Sequence, residues 1–242
     1  MRPAASAAGP SYWDESLQPW TILLALLPLI VLCEVGLATW PASVPPVQVT
    51  AHQQLLRLFS WMALPPPILL AAGGILTIVI LVIWQSFTQS RWRVRPRSVG
   101  WMYVEGLAMA LPLLVVGQLL LATPLAGGAA GVVQDLPWMQ RIVLSVAAGL
   151  YEELLFRMIL IAALHTVLVD IAKLNDPVGL TLAVIGSAAA FAWYHDPGSL
   201  SAAAMVFTAV AGVYLGVLYI VRGFGIVVIA HVAYDVIVML QL

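Results

Sequence analysis

Residues 138–169 read WMQRIVLSVAAGLYEELLFRMILIAALHTVLV. The stretch is longer than the roughly 20 mostly apolar residues that one helical crossing of a bilayer needs. Two adjacent acids, Glu152 and Glu153, and a base, Arg157, nevertheless lie near its middle. Each charge at mid-bilayer costs about 2.5–3.5 kcal/mol on insertion scales, so groups retained there face a protein interior and are functional candidates by default. The expectation is a membrane helix with its charged face turned inward. Its excess length predicts either a strong tilt or a break after Arg157.

Working outward, six more apolar runs appear, near residues 21–39, 68–87, 99–122, 178–194, 200–221 and 224 to the C-terminus. Together they predict an all-α fold, a polytopic transmembrane bundle of about seven helices, within a range of six to eight. Composition agrees. Of the 242 residues 62% are apolar and 9% charged, against about 45–50% and about 25% in soluble domains, and the mean hydropathy is +1.01. A soluble or disordered chain is excluded. The net charge of −1 gives no basic surface for nucleic acid. The one cysteine, Cys33, rules out an intramolecular disulfide and a paired-cysteine zinc site.

Tryptophans mark the run ends: Trp20 and Trp40, Trp84 and Trp92, Trp101, and Trp138. Indole prefers the headgroup region, where its ring is apolar and its N–H wet. Prolines such as Pro41, Pro65, Pro124, Pro137, Pro177 and Pro197 fall between runs, where a missing N–H costs little. Residues 50–63, with His52, Arg57 and Trp61, read as a short interfacial helix. The first run follows a polar, tryptophan-containing stretch and precedes no small-x-small cleavage site, so it reads as a retained helix rather than a signal peptide. Arg91, Arg93, Arg95 and Arg97 form the one strong charge cluster. The positive-inside rule places that loop, and the N-terminus with it, in the cytoplasm. Residues 1–137 form a first part, of transmembrane helices without an assignable motif, and residues 138–242 a second, which carries the polar sites.

Three places hold ionisable groups inside apolar runs. In the first, Glu153 and Arg157 are four apart, share a helical face and pair in the favourable acid-before-base order. Glu152 is rotated off that face, has no local counter-charge and is the natural proton acceptor. Gly149, a turn before Glu153, leaves room for water or for another backbone. The second is Phe191-x-x-x-His195, at the end of the fifth run, and the third is His231-x-x-x-Asp235, inside the last. A histidine bonded to a carboxylate is fixed in tautomer and orientation. Elsewhere, His165 lies on the opposite side of its helix from Glu152 and reads as structural. Glu34 and Glu105 are expected to reach toward headgroups. Asp170, Lys173 and Asp176 form an ordinary polar helix end, and Gly73, Gly74, Gly212 and Gly216 are small-residue packing sites.

Two glutamates and an arginine on one helix, a histidine on a second and a histidine–aspartate pair on a third suit activation of water for attack on a carbonyl. No seryl or cysteinyl nucleophile accompanies them at a recognisable motif. The same groups would also suit a divalent metal bound by histidine and carboxylate; no other cofactor is indicated.

The three motifs, Glu152-Glu153-x-x-x-Arg157, Phe191-x-x-x-His195 and His231-x-x-x-Asp235, resemble the signature of the CPBP family. This family comprises the CAAX-protease and bacteriocin-processing (Abi) membrane proteins. The resemblance covers about residues 138–240. It implies an intramembrane endopeptidase, in the cell membrane of a prokaryote, that acts on a peptide or protein substrate, lipidated or not, beside membrane lipid. The bond cut would lie in a CAAX-type tail, a leader or a sorting tail. Glu152 resembles the catalytic glutamate and works with His195 to activate water. His231 and residue 235 resemble the pair that holds the oxyanion, and Glu153 and Arg157 the support of the first motif.

Two positions depart from the family pattern. The CAAX endopeptidases usually carry asparagine where this chain has Asp235, and an ionised carboxylate cannot donate to an oxyanion. Either Asp235 is protonated, or it orients His231 and the histidine donates. The glycine often found after the first motif's arginine is Met158 here, which weakens the case for a helix break. Two other function classes use the same residues: a non-catalytic immunity or scaffold protein, with the motifs as interhelical glue, and a proton- or metal-coupled transporter, with the acids as a relay.

Overall fold

The computed structural model describes residues 11–41, 72–88, 90, 92–121, 135–195 and 201–241. The expected interfacial helix at 50–63 and Arg91 lie outside these residues. Every regular element described is helical. In chain order they are α1 (Tyr12–Ser16), α2 (Pro19–Ala38), α3 (Ala72–Thr88), α4 (Pro96–Leu120), α5 (Trp138–Ile171), α6 (Asp176–His195) and α7 (Ala202–Gln241). Five of them, α2 and α4 to α7, are long and apolar enough to cross a membrane, and α3 is a shorter apolar helix.

The helices carry apolar residues on their exposed as well as their buried faces. Along α4, Met102, Gly106, Ala110, Leu113 and Gly117 are buried, while Val104, Leu107, Leu111, Val115 and Leu119 are exposed at the same spacing. On α7, Val206, Val210, Val213, Val217 and Ile220 form a second exposed stripe. Apolar stripes of this extent are a liability in water and the expected outer surface in lipid. This is a helical membrane bundle and a multi-pass membrane protein.

The long fourth run does not break. α5 is one rod of 34 residues, about 51 Å at the α-helical rise. Immediately after the glutamate pair its winding widens to π-helical turns over Leu154–Ile161, and again over Thr166–Ile171. With Met158 rather than glycine after Arg157, nothing in the backbone interrupts the helix, and wider turns take the place of a break. Ser187 Oγ donates to the Phe156 carbonyl across 2.7 Å, tying α6 to the first of these wide segments.

The last two runs meet at Gly223, whose φ of 78° and ψ of 177° fall in a region open essentially only to glycine. The chain turns back there. Phe207 and Tyr234 lie together, 5.8 Å apart by ring centroid, and both lie against Gly117 of α4. α7 is therefore two antiparallel limbs, residues 202–222 and 224–241, packed around α4.

Two acids expected to reach toward headgroups are bonded to groups on other helices. Glu105 accepts from Arg222 Nε and Nη2, at 2.5 and 2.9 Å, and from the Tyr12 hydroxyl. Arg222 also donates to Ser16 Oγ at 3.1 Å and stacks 3.8 Å from the Trp13 ring. α1 thus closes over the Gly223 turn. Burial and the neighbouring Glu105 together raise the pKa of Tyr12, which lies outside the spans. Glu34 accepts from the Tyr151 hydroxyl at 2.8 Å and from the Gly74 amide at 3.0 Å. The sequence reading named no partner for either, because it measured distance to a run's end and not which neighbours a bundle would supply. Arg95 bonds Glu15 at 2.7 Å, so the N-terminal segment and the arginine loop share one end of the bundle.

Candidate active site

α5 and α6 form a helical hairpin. The part of α5 from Glu152 to Ile171 and the whole of α6 are equal in length, and the short turn between them returns α6 antiparallel to α5. The equal lengths bring His195, the last residue of α6, level with Glu152 in the middle of α5. The two meet because α6 runs beside only the second half of a helix longer than one crossing needs. From the other side, Gly106 near the middle of α4 faces Ile229 and Ala230, which places His231 level with the middle of α4.

The side chains converge. Glu152 Oε2 lies 3.5 Å from His195 Nε2 and 3.9 Å from His231 Nε2. Asp235 Oδ2 lies 3.6 Å from the same His231 nitrogen. Each histidine is held by its other nitrogen. His195 Nδ1 donates to the Phe191 carbonyl, four residues back, at 2.9 Å. His231 Nδ1 donates to Glu153 Oε1 at 2.7 Å. Carbonyl and carboxylate oxygens only accept, so both Nδ1 atoms carry protons and both Nε2 atoms face Glu152.

The support beneath them is fully buried. Glu153 Oε2 and Arg157 Nε are 3.1 Å apart with both side chains inaccessible. Arg157 Nη2 donates to the Gly212 carbonyl at 3.4 Å, and its guanidinium lies 4.3 Å from the centre of the Phe191 ring. Phe191 therefore carries Arg157 on its ring and His195 on its carbonyl. Phe156 and Tyr194 pack edge-on around this ring and around His195. At Gly149 a β-carbon would strike the backbone of Val232. The room that glycine leaves is filled by the limb bearing His231, not by water.

Glu152 is 7% exposed in its side chain, Asp235 17% and His195 29%, so the cluster opens outward past His195 and Asp235. The residue that orients His231 is Glu153, not Asp235, which stands beyond hydrogen-bond distance on the opposite nitrogen. His165 is far from the cluster, paired with Asp176 at 2.8 Å. Among the described residues no group of three or more histidine, cysteine, aspartate or glutamate side chains is placed to hold a metal ion.

Sequence reasoning assigned no role to Tyr151 or Arg222. Both were within reach of it: Tyr151 adjoins Glu152 inside the run, and Arg222 stands between the last two runs, beside the glycine that reverses the chain.

Residues 134–237 match the family model described as type II CAAX prenyl endopeptidase Rce1-like. This part of the chain belongs to the CAAX protease family. No curated protein matches the chain, and no solved structure does. The CAAX protease match spans all three polar motifs, from the glutamate pair to Asp235. At the level of that family, the match supports a membrane protease with a peptide or protein as substrate. Of the helices that precede the match, α2 and α4 pack onto the CAAX protease segment, and α3 packs on α2 and meets that segment at Gly73 and Tyr151.

Proposed function

We propose that the protein is an intramembrane endopeptidase that hydrolyses a peptide bond close to the membrane, in a CAAX-type tail, a leader or a sorting tail, with residues 138–242 as the catalytic part. The reading rests on one observation: Glu152 stands within 3.5 and 3.9 Å of two histidine nitrogens, each histidine being locked from behind.

A water between Glu152 and His195 loses its proton to the Glu152 carboxylate as its oxygen attacks the scissile carbonyl. His231, as an imidazolium whose Nδ1–H is held by Glu153, donates its Nε2–H to the oxyanion that forms, and Asp235 donates there when protonated. Glu152 then returns the proton to the leaving amine. Glu153 and Arg157 act behind His231, holding its Nδ1 side so that Nε2 stays aimed. A donor fixed before the reaction is worth more than one that must reorient during it.

The test is cleavage of a membrane-anchored peptide with a CAAX-type tail by purified protein. Glu152→Gln keeps the shape and removes the base, so cleavage is lost while the protein remains monodisperse. Full cleavage by this variant would show the assignment of the base to be wrong.

A further inference from the structure

Tyr151, next to Glu152, is fully buried in a seat made by two helices outside the three motifs. Its hydroxyl donates to Glu34 Oε1 at 2.8 Å and accepts from Cys33 Sγ at 3.5 Å, both on α2. The same Glu34 oxygen accepts from the Gly74 amide at the start of α3 at 3.0 Å. The seat is also shaped by absence: a β-carbon at Gly73 would overlap the Tyr151 ring, and one at Gly74 would overlap the Glu34 carboxylate. Two consecutive glycines let α3 lie directly against the ring and the acid that holds it.

Successive residues on a helix point about 100° apart. Tyr151 faces α2 and α3, while Glu152 faces α6 and α7. The pair therefore fixes the rotation of α5 about its own axis at the point where its winding begins to widen. A carboxylate about 6 Å from the axis moves about 1 Å for a rotation of about 10°. A displacement of about 1 Å at a reacting group can cost about a hundredfold in rate. The gap of 3.5 Å between Glu152 and His195 has little room for such drift if one water is to touch both.

We infer that Glu34, acting through Tyr151, is a positioning residue that sets the aim of Glu152. The inference rests on Glu152 being the general base. It gives α2 and α3 a part in catalysis although they carry none of the motif residues.

The experiment compares kcat, KM and melting temperature for Tyr151→Phe, Gly73→Ala, Glu34→Leu and Glu34→Gln in the full chain, with Glu152→Gln alongside. Tyr151→Phe and Glu34→Leu each lower kcat by about tenfold to a hundredfold at unchanged KM, and the double variant is no worse than either. Glu34→Gln keeps a carbonyl oxygen for Tyr151 and Gly74 and retains most of the activity. Gly73→Ala removes no polar group, pushes the ring from its seat and lowers kcat in the same way. It decides the matter if Tyr151→Phe or Glu34→Leu does not fold. Wild-type kcat in the folded Tyr151→Phe, Glu34→Leu or Gly73→Ala proteins, with or without a lower melting temperature, overturns the inference. An inactive Glu152→Gln beside such a result leaves the general base standing and removes only the positioning role. An active Glu152→Gln removes the assignment on which the inference stands.

Discussion

His231 Nδ1 lies 2.7 Å from Glu153 Oε1, so the second acid of the Glu152-Glu153 pair is bonded to a histidine 78 residues away. Its other oxygen faces Arg157 at 3.1 Å. Adjacent glutamates on one helix thus do different work: one looks into the cluster between the histidines, and the other ties an imidazole to a buried guanidinium.

The two acids should fail differently on substitution. Glu152→Gln lowers kcat by about a hundredfold to ten-thousandfold, the usual worth of a general base, with little change in melting temperature. Glu153→Gln leaves the inaccessible Arg157 without its counter-charge, which costs about 3–5 kcal/mol and shows as a large fall in melting temperature and yield. Thermal melts of both variants beside their cleavage rates separate the roles. Equal melting temperatures would contradict the buried-pair account.

Asp235→Asn should retain activity, because an amide always offers N–H donors whereas a carboxyl group offers one only when protonated. Raising the pH removes the Asp235 proton and with it a donor to the oxyanion. The wild-type rate therefore falls on the alkaline side, and the Asn variant resists that fall. The measurement is kcat against pH for the two proteins. Identical alkaline limbs would mean that Asp235 does not donate.

Cleavage should survive chelation. In the proposed chemistry Glu152 and His195 activate water without a metal ion. Purified protein treated with a strong chelator and then desalted is expected to cut at its original rate. Loss of activity that is restored by a divalent cation would replace this mechanism with a metal-assisted one.

Gly223→Ala should destabilise the protein. The backbone there, at φ 78° and ψ 177°, costs a residue with a β-carbon about 1–3 kcal/mol, and such a carbon would also press on Leu17. The strain falls on the turn that returns the chain toward His231, so the melting temperature and kcat decline together. A variant with wild-type stability would show that the reversal tolerates side chains.

Much of this architecture was legible in the order of residues. A long run of apolar side chains nearly free of charge must sit in lipid or in a core, so Thr21 to Thr39, with Glu34 as its one charge, or Val178 to Tyr194 announce helices by length alone. Pro19 and Pro96 open two of the helices, although Pro28 and Pro112 stand inside them. The pairing of Glu153 with Arg157 follows from helical periodicity, since residues four apart face the same way. The family, too, was readable, because its three motifs are short and local.

Tertiary structure decided the rest, because partners far apart in sequence leave no local trace. Glu34 and Glu105 stand inside apolar runs, and nothing beside them in the chain names Tyr151 or Arg222 as their partners. His231 has Asp235 four residues along on its own helix, yet the carboxylate that holds it is Glu153 on another. The level at which His195 meets Glu152 depends on how far α6 runs back along α5, which no local pattern states. Periodicity reports which way a side chain leaves its own helix; only the packing of helices against one another settles what it meets.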